Sequence, residues 1–362
     1  MKRNSLTKQI TAGVLLTGLA LAPSLRADVE VLVSGGNASS SVLFDRATNL
    51  FNGTFTSVSG ASSSTVRTYV GTVPGRADLG TVTLDFVLNG AVGGLIDISQ
   101  GNPETTAAGG SLVPTVVDSS TSPDVVGVSP GQFTSLPTYI VPYIFIKNAN
   151  SANTATITNL TQRQAAVLEA SGATIPASFF GGTGTNVIYF IGRNKDSAVR
   201  TEIDLNIQAY GFQTYTTNAA GQIVQDTSGV DQEGNLDPGR TSAGALVNDV
   251  KVITNAIGTI AVQNIKSGVT PLAYEGVSYS ISNVLSGSYP LWGYENYYYL
   301  TSLNNASQLA VINLLYNSVT NAAFQSINNP VFTNFFIPYS SVNAQIQPRA
   351  DGGPIIPAAS YH

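Results

Sequence analysis

The stretch VIYFIGRNKDSAVRTEIDLNIQAYG, residues 187–211, decides the reading of this chain. Its first five residues, Val187 to Ile191, are β-branched or aromatic, the composition of a strand buried on both faces. Gly192 ends the run. Arg193, Asn194, Lys195, Asp196 and Ser197 follow as a polar loop with three charges, in a chain of which only 10% is charged. From Ser197 the pattern turns helical. Val199, Ile203, Ile207 and Tyr210 recur at spacings of three or four, with Ser197 as N-cap and Gly211 as the closing residue. A helix start leaves backbone N–H groups unpaired and carries partial positive charge, so a strand, a short polar loop and a helix together make a place to hold an anion. In open α/β sheets such loops lie at the carboxyl ends of strands, where ligands bind. The stretch reads as one wall of an oxyanion-binding cleft.

The same plan appears at the other end of the chain. Residues 28–34, DVEVLVS, alternate as a strand. SGGNASSS (34–41) forms the loop, and Leu43, Phe44, Ala47, Leu50 and Phe51 give a helix face. Residues 53–80 read as a loop or irregular hairpin and 81–90 as a strand, followed by a glycine-rich turn at 89–94 and a short helix from Leu95. The segment 100–115 reads as loop. Residues 138–148 form a strongly apolar strand in which Pro142 predicts an edge position or a bend. Thr161 and Gln164 stand at capping-box spacing in a helix over 159–170. A polar segment (213–241), a helix (242–254), a strand (257–262), an aromatic-rich region (268–300) and an amphipathic helix (307–317) complete the pattern, with an irregular tail from Val331. Strands alternating with helices predict an α/β fold with mainly parallel sheets.

Composition bounds the function. The first 27 residues carry a basic start (Lys2, Arg3, Lys8), an apolar stretch from Ile10 to Ala22 and a small residue at Ala27. That is the pattern of a secretory signal peptide, so the mature chain is expected in the periplasm or outside the cell. No later run reaches the roughly 18 apolar residues of a membrane span, and a soluble mature protein is expected. Signal removal takes four of the 16 basic residues and none of the 21 acidic ones, moving the net charge from −5 to near −9. A nucleic-acid partner is therefore not expected. A small anion still is, because its binding depends on local amides and one or two cations. There is no cysteine, and the one histidine is His362. Thiolate chemistry and most histidine-based mechanisms are excluded. Gly127-Val128-Ser129-Pro130-Gly131 matches a nucleophile-elbow pattern, but Pro130 lacks the N–H that the oxyanion hole requires. An enzyme is not expected, nor any cofactor or metal.

The remaining chemistry lies in hydroxyl- and glycine-rich loops at strand ends: 34–41, 89–94, 119–124 and 193–200. A hydrogen bond to a charged group contributes about 1.5–3 kcal/mol, and micromolar affinity needs roughly 8 kcal/mol. A handful of such bonds with one arginine suffices.

Several segments resemble the phosphate-binding, extracellular solute-binding protein family of ABC uptake systems. SGGNASSS resembles that family's first hydroxyl loop. Arg193 to Arg200 resembles its R-x-x-x-S-G-T-R loop and helix start, and Ser119 to Asp124 its serine–aspartate turn. NLTQRQAAVLEASG (159–172), GALVNDVKVITNAIGTIAV (244–262) and NVLSGSYPLWGYENYYYL (283–300) match in order, so the likeness covers most of the mature chain. It implies a type II periplasmic binding protein-like fold: two α/β lobes joined by two crossing strands, near 138–146 and 258–275. Residues 28–139 and 264–362 would form one lobe and 140–263 the other. It also implies phosphate or a related inorganic oxyanion as ligand, held by Ser39, Ser40, Gly90, Ser122, Asp124, Arg193, Ser197 and Arg200, and a monomer that delivers it to an ABC permease. Ala198 and Val199 stand where the family has glycine and threonine, and Asn37-Ala38-Ser39 replaces its hydroxyl pair. The alternative is a secreted structural or surface protein that keeps this fold without transport.

Overall fold

The computed structural model describes residues 28–60, 65–229, 236–326, 336–338 and 341. The expected signal peptide (residues 1–27), His362 and most of the tail from Val331 lie outside the described residues. The amino-terminal half begins with β1 (Val29–Gly35), α1 (Ser40–Leu50), β2 (Phe55–Ser59), β3 (Val66–Gly71), β4 (Val82–Val87) and α2 (Ala91–Gln100). Two short strands, β5 (Glu104–Thr105) and β6 (Ser111–Leu112), precede β7 (Val116–Ser119) and the long β8 (Phe133–Asn148). Next come β9 (Asn159–Leu160), α3 (Gln162–Ser171), β10 (Tyr189–Ile191), α4 (Ala198–Ile207), β11 (Tyr215–Thr217), β12 (Ile223–Gln225), α5 (Ala243–Val252) and β13 (Ala256–Ala261). The chain ends with β14 (Val269–Pro271), β15 (Ala273–Tyr274), α6 (Ile281–Leu285), β16 (Trp292–Leu300), α7 (Ala306–Val319) and β17 (Ile337–Pro338).

One large sheet runs β10-β13-β8-β16-β7-β1-β4-β3-β2, with β14 and β17 also on β8. The expectation of mainly parallel strands is corrected to a mixed sheet. β1 runs parallel to β4 and β7, and β10 to β13. The 53–80 segment adds β3 antiparallel to β4 and β2 antiparallel to β3, and β8 and β16 run antiparallel to each other. β8 is the spine of the molecule. Its first ten residues, Phe133 to Pro142, pair with β16, and Tyr143 to Lys147 pair with β13. Pro142 is therefore neither at a sheet edge nor at an ordinary bend. It sits where the strand changes partners, and Tyr143 resumes the ladder by donating to the Leu291 carbonyl at 2.9 Å. A residue with no N–H fits such a handover.

The sheet thus divides into two halves with their own helices. α1 and α7 pack beside β1 and α2 packs on β7, whereas α3, α4 and α5 surround β10 and β13. We propose that these halves are the two lobes. β14 pairs with residues 146–148 of β8, which assigns Val269–Pro271 to the second lobe and makes Leu272–Leu291 the return path.

Local sequence explains several boundaries. Thr161 and Gln164 form the expected capping box of α3, and Ser242 caps α5 by accepting from the Ala245 N–H. The 89–94 segment departs from expectation: α2 begins at Ala91, so Gly93 and Gly94 are helical rather than turn. A Cβ on Gly94 would stand 2.5 Å from the Ser34 hydroxyl and 3.1 Å from a Val117 methyl. The missing Cβ of Gly94 lets α2 lie directly on the sheet. α4 ends at Gln208, in the left-handed region at φ 55°, three residues before the expected Gly211. Tyr210 consequently falls outside the helix and is 70% exposed. No helix among the described residues is long and apolar enough to cross a membrane.

Candidate anion-binding site

Three helix starts meet at one small cavity between the two halves. It is lined by Gly36, Asn37 and Ala38 before α1, by Gly90 and Ala91 at α2, and by Ser197, Ala198 and Val199 at α4. Ser120, Tyr143, Arg193 and Glu295 close it. Its volume is about 20 Å³, enough for a single water. An anion of phosphate size does not fit the cavity at this volume.

Arg193 is the dominant charge. It is 2% exposed, directly after β10 and before α4. Its Nε donates to the Arg240 carbonyl at 2.8 Å and one Nη to the Thr241 carbonyl at 3.1 Å. Among the described residues no carboxylate lies within ion-pair distance of it. Burial pulls its pKa down to about 10, against a partial offset from the charge of Asp196. A buried cation held only by carbonyl dipoles is costly unless an anion joins it. The loop carrying it is braced from behind. Gly239, at φ 120°, brings the 237–241 segment so close that a Cβ there would meet the Arg193 carbonyl at 2.5 Å. Asp237 accepts from the Lys195 N–H at 2.8 Å.

The closed arrangement has its own ties. The Val92 N–H, in the first turn of α2, donates across the cleft to the Asp196 carbonyl at 3.1 Å. The Gln263 side-chain amide donates to the Ala38 carbonyl at 2.9 Å. Gly90 rests against Asp196, where a Cβ would stand 2.6 Å from the Asp196 Cβ and 2.8 Å from its carbonyl oxygen.

The structure brings Gly90, Arg193 and Ser197 to the cavity, with Ser39 buried beside it at the start of α1. Ser197 precedes α4 but its side chain does not cap the helix. Ser40 opens α1, half-buried and off the cavity wall. Ser122 and Asp124 hydrogen-bond to each other in a more open loop outside the cavity. Arg200 is also elsewhere. It pairs with Asp204 at 3.4 Å and Asp237 at 3.6 Å, and stacks over Phe212. Ser120 belongs to the 119–124 loop that the pattern marks, whereas Tyr143 and Glu295 lie outside every marked loop. The Tyr143 hydroxyl donates to Ser120 at 2.6 Å, and Glu295 reaches the cavity from β16. A lone carboxylate inside the aromatic run WGYENYYYL is the one sequence signal that could have found it.

No protein-family model matches the chain, and no curated protein does. Solved structures do match. A protein from Clostridium perfringens, assigned as a phosphate ABC transporter substrate-binding protein and solved with bound phosphate, is similar over 85% of this chain and 99% of its own, with TM-score 0.56 and 15% identity. A phosphate-binding protein from Stenotrophomonas maltophilia matches over 87% and 92%, with TM-score 0.52 and 14% identity. An ABC-type phosphate transport receptor from Vibrio cholerae matches over 82% and 96%, with TM-score 0.50 and 14% identity. At such identities the likeness concerns the fold. This chain has the α/β fold of the periplasmic binding proteins.

Proposed function

We propose that this protein is an exported solute-binding protein that captures phosphate or a related oxyanion between its lobes for ABC-type uptake. The observation that carries this reading is the Arg193 guanidinium, buried at the meeting point of three helix starts and hydrogen-bonded to two carbonyls without an ion-pair partner among the described residues. Phosphate-binding structures that share the fold add support. Gly90, Arg193 and Ser197 are the residues we assign to ligand, with the backbone N–H groups of Ala198 and Val199. The cavity as it stands holds about one water, so a compact tetrahedral ion needs less widening of it than an organic solute would.

Calorimetry of the mature protein against phosphate, sulfate, molybdate and tungstate tests this. One site with micromolar or tighter affinity for at least one of them is expected. No heat and no thermal shift with any would sink the proposal and favour a scaffold kept without a ligand.

A further inference from the structure

Behind the cavity lies a second feature. Asp118, at 0% exposure, and Glu295, at 2%, come from the adjacent strands β7 and β16. Tyr297 of β16 pairs with Asp118, and Glu295, two residues away on the same face of the strand, lies at the cavity wall. Both Asp118 oxygens are sealed from solvent without a hydrogen-bond partner, and the Ser39 hydroxyl and the Glu295 carboxyl are the polar groups that act on its charge. The other groups facing the pair are the buried phenols of Tyr139 on β8 and Tyr297 on β16, and the more distant charge of Glu202 on α4. None of these is a cation; Arg193 lines the same cavity as Glu295 but makes no ion pair with it. Two neighbouring buried carboxyls with no ion-pair partner resist ionising together.

We propose that the Asp118–Glu295 pair makes anion capture at Arg193 proton-linked, so that the cavity takes up an oxyanion together with a proton onto the pair. The proposal rests on the anion-binding reading above and adds its regulation. Burial, with charge repulsion from Asp118, holds Glu295 protonated well above the usual carboxylate range. Burial likewise lifts Asp118 to about 7. Near neutrality the pair therefore passes between one proton and two. An arriving anion disfavours the negative state of the pair, and by reciprocity the protonated pair favours the anion. Affinity is then highest in mild acid and declines as pH rises through the upper end of the Asp118 titration.

The test is titration of the mature protein with sulfate, which has no ionisation in the window, and with phosphate, from about pH 6 to pH 8.5 in buffers of different ionisation enthalpy. Net proton uptake on sulfate binding is expected, with affinity falling by up to about tenfold per pH unit above neutrality. The double variant Asp118→Asn, Glu295→Gln should bind sulfate with a pH-independent affinity, and comparison with it removes the phosphate ion's own titration. Infrared difference spectra of the ligand-free wild type should show a buried protonated-carboxyl band at neutral pH that is lost in Glu295→Gln. Binding with no proton uptake, or absence of that band, overturns the linkage while leaving anion binding intact. Absence of binding at every pH overturns both.

Discussion

Gly90→Ala isolates lobe closure from ligand chemistry. Gly90 has φ −175°, extended backbone that alanine adopts without strain, and it lies in the half of the molecule built on β1 and β4. That half should fold normally. In the closed arrangement the new Cβ would meet the Asp196 Cβ at 2.6 Å and its carbonyl oxygen at 2.8 Å. Both are well inside ordinary contact, and the second is backbone that cannot rotate away. The lobes must separate at this point, which also lengthens the Val92–Asp196 hydrogen bond. Overpacking of this kind costs about 1–3 kcal/mol. Because it falls on the closed state alone, it appears as weaker binding by roughly 5- to 150-fold. Calorimetric titration with phosphate measures the affinity, and a urea melt of the ligand-free protein checks the fold. Unchanged affinity in a folded variant would refute the idea that binding requires Gly90 to close on Asp196.

Gly94→Ala, by contrast, should destabilise the ligand-free protein by about 1–3 kcal/mol, read as a lower urea midpoint, because its Cβ would collide with Ser34 and Val117 inside one lobe. Thr161→Ala removes the α3 capping box and should cost about 1 kcal/mol in the same melt, with anion affinity unaltered. Glu104, bonded to the Ser34 hydroxyl at 2.5 Å, has its pKa raised by burial to about 8 from an ordinary 4.5. The folded state keeps this proton when the unfolded state has lost it. The stabilisation is therefore complete below about pH 4.5 and is lost as pH rises towards 8, by at most about 1.4 kcal/mol per unit. Glu104→Gln should flatten that slope in melting temperature against pH. Glu169 on α3 is raised by burial and by the charge of Asp204 on α4, so Glu169→Gln should likewise gain stability over wild type at alkaline pH, measured by thermal melts.

The features legible in the sequence are those whose causes are local. The capping box at Thr161 and Gln164 needs only a three-residue spacing, and the Arg193 loop declares itself by charges between a strand and a helix. What escaped reading depends on distant partners. Gly93 and Gly94 look like a turn until Ser34 and Val117 are seen to press on α2. Arg200 matches the last arginine of the R-x-x-x-S-G-T-R pattern, yet Asp204, Asp237 and Phe212 hold it off the cavity wall. Gln208 ends α4 in a conformation that the sequence pattern assigns to glycine. Asp118 and Glu295 become neighbours only because β16 lies beside β7. No spacing rule joins them.

The central claim is that an oxyanion joins Arg193 and draws the lobes together. Trp292, the sole tryptophan, is 4% exposed and opens β16 opposite Pro142, where β8 passes from one half to the other. Its fluorescence should respond to lobe movement. Titrating the wild type and Arg193→Gln side by side with phosphate, sulfate, molybdate and tungstate is the most direct test. A saturable, one-site change in the wild type that disappears in Arg193→Gln is the predicted result. No change with any of the four ions, or an equal response in both proteins, would contradict it.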